Sequence, residues 1–162
     1  MALGDIIPKQ ESNGFGLKGS EIYTVAASST LINAGEPVGK ALGAVAVLPL
    51  ATNKPVVATD YICGIAATTS TNTASVAGTV DVIPTNTGIT WLATPKVPAT
   101  WNTQSAYDAL VGARVLLDLT AGSYTILASD NSTYGCVVEP LDISIYPDKV
   151  AFKFRAGCNY LA

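Results

Sequence analysis

The sequence predicts an all-β protein, a sandwich or barrel of short strands built from two related halves, with an extended N-terminal arm. From Leu31 onward it holds about eleven short runs rich in Val, Ile, Thr, Tyr or Phe, and Gly, Pro, Asn or Asp bounds them at spacings of about ten residues. The segment 103–117, TQSAYDALVGARVLL, predicts a helical turn or two, with Ser105 as its candidate cap.

Composition limits which partners are expected. Of the 162 residues, 49% are hydrophobic and only 13% charged, about half the usual quarter, with a net charge of −3. The absence of a basic cluster disfavours nucleic acid as a partner. The longest apolar run, residues 41–51, has about half the length of a membrane-spanning helix and contains Gly and Pro, so we expect no membrane span. The N-terminus lacks the apolar core of a secretory signal, so we expect the chain to stay in the compartment where it is made.

Candidate chemistry is sparse, and we expect neither an enzyme nor a cofactor or metal site. The three cysteines have no paired spacing and no histidine accompanies them, which predicts small buried side chains rather than a zinc site. Asp60 and Asp130 each follow a Thr or Ser at the end of a predicted strand, where Asp commonly closes a turn. The glycines of GFGLKG, at 14, 16 and 19, match a dinucleotide fingerprint but lack the flanking strand and helix that phosphate binding requires.

Residues 1–30 are predicted to form an extended arm, and residues 31–162 the β domain. The arm mixes Gly, Pro, Ser and scattered charges with isolated apolar residues, and shows no long alternation before EIYTVAA. Such a segment gains order from a surface on which it lies, by pairing its backbone with an exposed strand edge. The arm residues predicted to contact that surface are Ile6, Ile7, Phe15, Leu17, Ile22 and Tyr23.

Two stretches of the chain echo each other about 70 positions apart: VVATDYICGIAATTS from Val56 and ILASDNSTYGCVVEP from Ile126. Around them, GTVDVIPT falls opposite DKVAFKFR, and PVGKAL at Pro37 opposite LVGARV at Leu110. The match predicts two related half-units, at about 34–90 and 109–158. Chance similarity between Gly- and Val-rich strands is the alternative.

The connection between the half-units, residues 91–108, carries both tryptophans. Pro95 and Pro98 lie between Trp91 and Trp101, which disfavours a central strand and predicts a crossover or an exposed loop. Its aromatic residues have two possible roles: filling the gap between the halves, or stacking on sugar rings. They are Trp91, Trp101 and Tyr107. In the last predicted strand, Lys153 and Arg155 alternate with apolar residues and are either solvated or polar contacts to a partner.

The order of the first half-unit resembles the head-decoration, or cement, proteins of lambda-type tailed bacteriophages. The resemblance rests on GEPVGK at Gly35, DYICGIA at Asp60 and GTVDV at Gly78. It covers about residues 34–90 and, more faintly, 109–157. The chain is longer than the compact members of that group, and its second copy reads GCVV at Gly135 in place of the GIA step.

The resemblance implies a structural virion protein on the outer surface of a phage head, assembled in the host cytoplasm. It implies binding to the major capsid protein, homo-oligomers with trimers favoured, and stabilisation of the expanded lattice, with the arm adding to capsid strands. The alternative is a receptor- or carbohydrate-binding β-module of a phage fibre or spike. A cement protein binds intact expanded capsids, whereas a sugar-binding module binds glycans without them.

Overall fold

The protein is nearly all-β, with a closed five-strand barrel and a curled sheet, which confirms the predicted fold class. The computed structural model describes residues 6–9, 20–41, 43–85 and 89–158. Phe15, Leu17 and the glycine fingerprint lie outside the described residues.

Eleven strands and one short helix make up the described secondary structure. In chain order they are β1 (Ile6–Pro8), β2 (Glu21–Val25), β3 (Pro37–Gly39), β4 (Leu48–Pro49), β5 (Ile62–Ala66), β6 (Gly78–Pro84), β7 (Trp91–Pro95), α1 (Gln104–Asp108), β8 (Arg114–Thr120), β9 (Ser123–Leu127), β10 (Cys136–Val138) and β11 (Val150–Phe154). Two 3-10 turns, Pro98–Trp101 and Ala156–Cys158, complete the set.

The barrel is formed by the C-terminal strands in the order β7-β11-β10-β8-β9. Its neighbouring strands pair antiparallel, and a parallel pairing of β7 with β9, at Thr94 and Thr125, closes the ring. The N-terminal strand β1 adds to β7 beside this closure, with Ile7 opposite Leu92. Strand β1 thus belongs to the barrel sheet, although the next described strand, β2, belongs to the other sheet.

The curled sheet is formed by residues 21–84 in the order β2-β6-β5-β3-β4. Each of its strands matches the barrel strand five places later in the chain, so both sheets have the same order. The backbone N–H of Val47, just before β4, donates to the carbonyl O of Thr24 on β2 at 2.9 Å. This bond brings together the two ends of the curled sheet, at β2 and just before β4. It corresponds to the pairing of β7 with β9 that closes the barrel. The shared order supports the hypothesis of two related half-units, which stays a prediction.

The apolar interior has two parts that meet at β5. The inner face of the curled sheet buries Val25, Val38, Val47 and Val80 together with Cys63 and Ala66 of β5. The barrel interior extends to Ile62 and Ile65 of the same strand. Because both faces of β5 are covered, all five of its residues are buried. Its continuous apolar sequence, ICGIA, is typical of such a strand.

Three local predictions from the sequence are wrong. Residues 91–95 are a central barrel strand, because Pro95 lies beyond Ala93, the last residue of β7 that pairs with β11, so its missing N–H breaks no bond there. Because β7 belongs to the barrel, the chain passes from the curled sheet to the barrel between β6 and β7, and the segment from Lys96 onward connects two barrel strands, β7 and β8. The helix α1 is capped by Thr103, whose hydroxyl accepts from Ala106 N at 3.2 Å, and not by Ser105. One of the eleven runs predicted as strands, LDISIYP from Leu141, forms turns instead.

Candidate interaction surface

Within the predicted arm, β1 and β2 are strands paired with other strands of the same chain. Ile6 is only 2% exposed because β1 lies on β7 and places this side chain in the barrel core. Its neighbour Ile7 is 41% exposed. On β2, Ile22 is 72% exposed, and Tyr23 is half-buried with its hydroxyl donating to Glu21 at 2.7 Å. Ile6 is therefore occupied within the chain, whereas Ile7 and Ile22 face outward.

An apolar face lies on the outside of the curled sheet, where β2 runs beside residues 45–48. The Val47–Thr24 hydrogen bond joins these two segments, and Val47 itself is fully buried. Two large apolar residues near Val47 in the sequence are exposed: Val45 at 80% and Leu48 at 54%. Together with Ile22 they place three large apolar side chains on adjoining segments, which we call the apolar face. Large exposed apolar side chains on adjoining segments favour burial against a partner.

The three aromatic residues of segment 91–108 that were candidates for sugar stacking lie inside the barrel. Trp91 and Tyr107 are fully buried and Trp101 is 4% exposed. The rings of Trp101 and Tyr107 pack at a centroid distance of 5.7 Å. The Tyr107 hydroxyl donates to Glu139 O and accepts from Ala151 N, each at 2.9 Å, and so ties α1 to the barrel wall. The structure thus contradicts a sugar-stacking role for these three residues and gives them the core-filling role.

The predicted polar contacts, Lys153 and Arg155, already have partners within the chain. Lys153 Nζ lies 3.2 Å from Glu139 Oε2, and the lysine side chain is 38% exposed. Arg155 donates through Nη1 to the carbonyl oxygens of Ser132 and Tyr134, at 2.8 and 2.7 Å. Both residues belong to the barrel half of the molecule, and the apolar face lies on the curled sheet. Their role in lattice contacts stays a prediction.

An open groove of about 550 Å³ lies beside α1, between Lys9 and the loop 140–144. Gln104 ties the loop to the helix: its amide donates to Asp108 at 2.7 Å and to Leu141 O at 2.9 Å, and its oxygen accepts from Ile143 N at 3.1 Å. Asp142 accepts from the backbone and hydroxyl of Ser144. The polar groups of the groove hold the loop in place and leave no free pair of facing carboxylates between Asp108 and Asp142.

Three carboxyl groups have lowered pKa values, each with a structural cause. For the buried Asp118, hydrogen bonds from Thr120 and then from Lys96 lower the pKa. For Asp142, hydrogen bonds from Ser144 lower the pKa. For Asp130, the side chain of Arg114 and then its backbone N–H lower the pKa to about 2. All three carboxylates therefore act in local structure, as loop, turn or strand anchors.

Cysteines and metal ligands add no reactive centre to the described part of the chain. Cys63, Cys136 and Cys158 are unpaired and buried. Burial raises the pKa of the Cys63 thiol, and likewise that of Cys158, to about 11, which keeps both thiols protonated near neutral pH. Among the described residues, no group of three or more His, Cys, Asp and Glu side chains comes together to hold a metal ion. No described helix is long and apolar enough to cross a membrane.

We expect the Arg114–Asp130 pair to contribute to stability only above acid pH. The folded-state pKa of Asp130, about 2, lies below its ordinary value of 3.8. The contribution is therefore complete above the ordinary value and is lost as the pH falls through the folded value. The variant Asp130→Asn should melt about 2 °C lower at neutral pH, a small change because the pair is exposed. Melting curves of both proteins at a series of pH values test this, and a gap that persists at the acid end would contradict it.

Comparison with known proteins gives no relative from which a function could be inferred. Function is therefore inferred from the fold and from the apolar face. No protein-family model, no curated protein and no solved structure matches the chain. The class that the structure defines is an all-β protein with a barrel, a curled sheet and an apolar outer face. The sequence identified only Ile22 of that face. Val45 and Leu48 were missed because, in the run AVAVLPLA, they cannot be told from the buried Val47 and Leu50.

Proposed function

We propose that this chain is a capsid decoration, or cement, protein: a structural virion protein that binds the outer surface of a phage head and stabilises the expanded lattice. The partner is the major capsid protein. The resemblance in the first half-unit supports this proposal, because its three motifs lie on β3, β5 and β6, which are neighbours in the curled sheet. The motifs therefore describe one folded unit rather than scattered similarities.

The observation that carries the proposal is the apolar face of Ile22, Val45 and Leu48. Its side chains are 54–80% exposed on a protein with only 13% charged residues. Water-exposed apolar side chains on adjoining segments favour burial against another surface. A partner that presents a complementary apolar surface, as neighbouring capsid subunits do in this proposal, would supply it.

Self-association is the second part of the proposal, with a trimer favoured. A stable interface buries about 1,600 Å² in total, or about 800 Å² from each partner. Such an area requires more than the three side chains of the apolar face, so sister subunits and the lattice would share the outer surface. Sedimentation equilibrium of the purified protein measures the oligomeric state, and copy number on the head then indicates which lattice positions are filled.

The alternative, a receptor- or carbohydrate-binding module of a fibre or spike, has less support. Its sequence basis was the aromatic cluster of Trp91, Trp101 and Tyr107, and these side chains are buried. No other observation on the described surface favours it.

Binding to expanded heads tests the proposed function. We mix the purified protein with expanded phage heads that lack it, and follow co-sedimentation to saturation together with the melting temperature of the heads. Stoichiometric binding with a higher melting temperature is the expected result. Absence of binding to heads, combined with binding to a glycan array, would favour the sugar-binding module.

The variant Val45→Lys should weaken binding to heads by at least about tenfold, because it places a charge in the centre of an apolar contact. Its fold should be unaffected, since Val45 is 80% exposed. Ile145→Lys is the matched control, at a 66% exposed residue in a barrel loop. Equal affinity of wild type and Val45→Lys, with a loss in Ile145→Lys, would move the contact to the barrel half.

A further inference from the structure

Two loops of the curled sheet lie together at the end of β5 that is opposite to its barrel contact. β5 begins after the segment that touches the barrel, where the N–H of Val57 donates to Thr133 O at 2.8 Å. At its other end β5 leads into residues 67–77, which lie against residues 26–34, the loop that follows β2. We call residues 26–34 and 67–77 the tip.

Hydrogen bonds between its two loops hold the tip in one arrangement. The Ser70 hydroxyl accepts from the N–H of Ile32 at 3.0 Å and donates to Asn72 Oδ1 at 2.7 Å. The Asn72 amide in turn donates to Ser29 O at 2.9 Å. Both polar side chains are buried, at 5% exposure for Ser70 and 6% for Asn72. A surface that is already ordered in the free protein loses little conformational entropy on binding, which favours association.

The tip has no charged residue, although the corresponding loops of the barrel have six. Residues 26–34 and 67–77 contain no Asp, Glu, Lys or Arg. By strand order these loops correspond to residues 96–113 and 139–149 of the barrel. The charged residues of the barrel loops are Lys96, Asp108, Glu139, Asp142, Asp148 and Lys149. The lack of charge is therefore a property of the tip and not of these loops in both halves.

The tip is exposed and supplies most of one side of an interface. Fifteen of its residues are exposed, six in 26–34 and nine in 67–77. Two of the fifteen are large and apolar, Leu31 at 49% and Val76 at 63% exposure. A standard interface takes about 20–30 residues from each partner, with apolar groups and few charges at its centre. The tip has this composition and more than half of this size.

We propose that the tip is the surface through which copies of this chain contact one another, an inference that rests on the self-association included in the proposed function. Each copy carries a net charge of −3, so copies repel one another where charged surfaces meet. Contact through an uncharged surface avoids that repulsion. A different protein as partner would not require this, because opposite charges on the two proteins would favour their association.

The proposed contact is separate from the features that support the cement role. The motifs of the phage-head resemblance begin at Gly35, Asp60 and Gly78, and none of them includes a residue of the tip. The apolar face likewise shares no residue with the tip. The tip is therefore an additional surface, which the resemblance does not identify.

The variant Val76→Lys tests the tip, with Val97→Lys as its matched control. Val97 is 52% exposed at the start of a corresponding barrel loop, so the two variants have the same change in charge at similar exposure. We expect wild type to self-associate in sedimentation equilibrium. Val76→Lys should raise the dissociation constant by about tenfold or more, and Val97→Lys by less than about threefold. Melting of each variant verifies its fold.

The other results overturn the proposal. A monomeric wild type, or equal association of wild type and Val76→Lys, would mean that copies do not meet at the tip. An equal loss in Val97→Lys would mean that added charge alone weakens association. If Val76→Lys loses head binding but keeps self-association, the tip contacts the capsid instead. Head binding of wild type is a separate measurement: if it fails while the variants behave as expected, the cement role fails and the tip contact stands.

Hydrogen exchange of the unmodified protein at increasing concentration locates the contact independently. Exchange of the backbone amides in 67–77 should slow by about threefold or more as copies associate, and exchange in 139–149 should stay the same. Protection of 139–149 instead of 67–77 would place the self-contact on the barrel and overturn the proposal.

Discussion

Replacing Gly64 by alanine is expected to lower the free energy of unfolding by about 3 kcal/mol, and the melting temperature by about 10 °C. Gly64 lies in the middle of β5, the strand between the two parts of the core. A Cβ atom there would lie 2.0 Å from the carbonyl oxygen of Ile83 and 2.6 Å from Val82 Cγ1. Because the nearest atom belongs to the backbone of β6, a side-chain rotation cannot relieve the clash, and β5 and β6 must separate.

Gly43→Ala is the control for the loss of a glycine without a clash. Gly43 has a φ of +79°, and a Cβ atom there would meet no atom within 4 Å. Its substitution should cost about 1 kcal/mol, the strain of a left-handed backbone. Chemical denaturation of both variants gives the comparison. Equal losses would mean that β5 and β6 do not approach as closely as the structure shows.

The similarity between the stretches from Val56 and Ile126 was most informative at positions where the local structure admits few residue types. Asp60 and Asp130 each stand before the corresponding strands β5 and β10, and each accepts a backbone N–H, from Val56 at 2.8 Å and from Arg114 at 3.0 Å. Gly135, like Gly64, leaves no room for a Cβ, which would lie 2.5 Å from Cys158 Sγ. The contacts differ between the copies, because Asp60 accepts from a residue four positions earlier and Asp130 from the first residue of β8. The repeated letters therefore reflect a shared need for a carboxylate acceptor and a residue without a side chain, and not identical geometry.

Elsewhere the echo gave the wrong register. It placed PVGKAL opposite LVGARV, yet residues 110–112 form a turn, and β3 corresponds by strand order to β8, which starts at Arg114. Short apolar strings carry little register information, because Val, Leu and Gly serve equally in strands and in the turns beside them. Strand order, which depends on pairing between distant segments, was not predictable from the letters alone.

Exposure was the least predictable property of the candidate surface. The aromatic residues of a Pro-containing segment had the composition of a binding loop, and the structure buries them because β7 is central to the barrel. The apolar residues of the arm were predicted to act alike, and the structure divides those that it describes between core and surface. Which face of a short strand points inward depends on what packs against it, and that is a tertiary property.

The variant Ile6→Ala is expected to lower the free energy of unfolding by about 2–4 kcal/mol, whereas Ile7→Ala should cost less than about 1 kcal/mol. The two residues are adjacent in β1 and chemically identical, but Ile6 is 2% exposed in the barrel core and Ile7 is 41% exposed. The pair therefore separates the burial of β1 from any general effect of removing an isoleucine at the N-terminus.

Denaturant titration of both variants measures this difference, and two small, equal losses would show that β1 is not held on β7. The result also decides how the N-terminus contributes to partner binding. If Ile6→Ala is strongly destabilising, a truncation that removes β1 damages the barrel as well as any contact. A lower affinity of that truncation for heads could then not be assigned to an arm, and the outward residues Ile7 and Ile22 become the appropriate positions at which to test contacts.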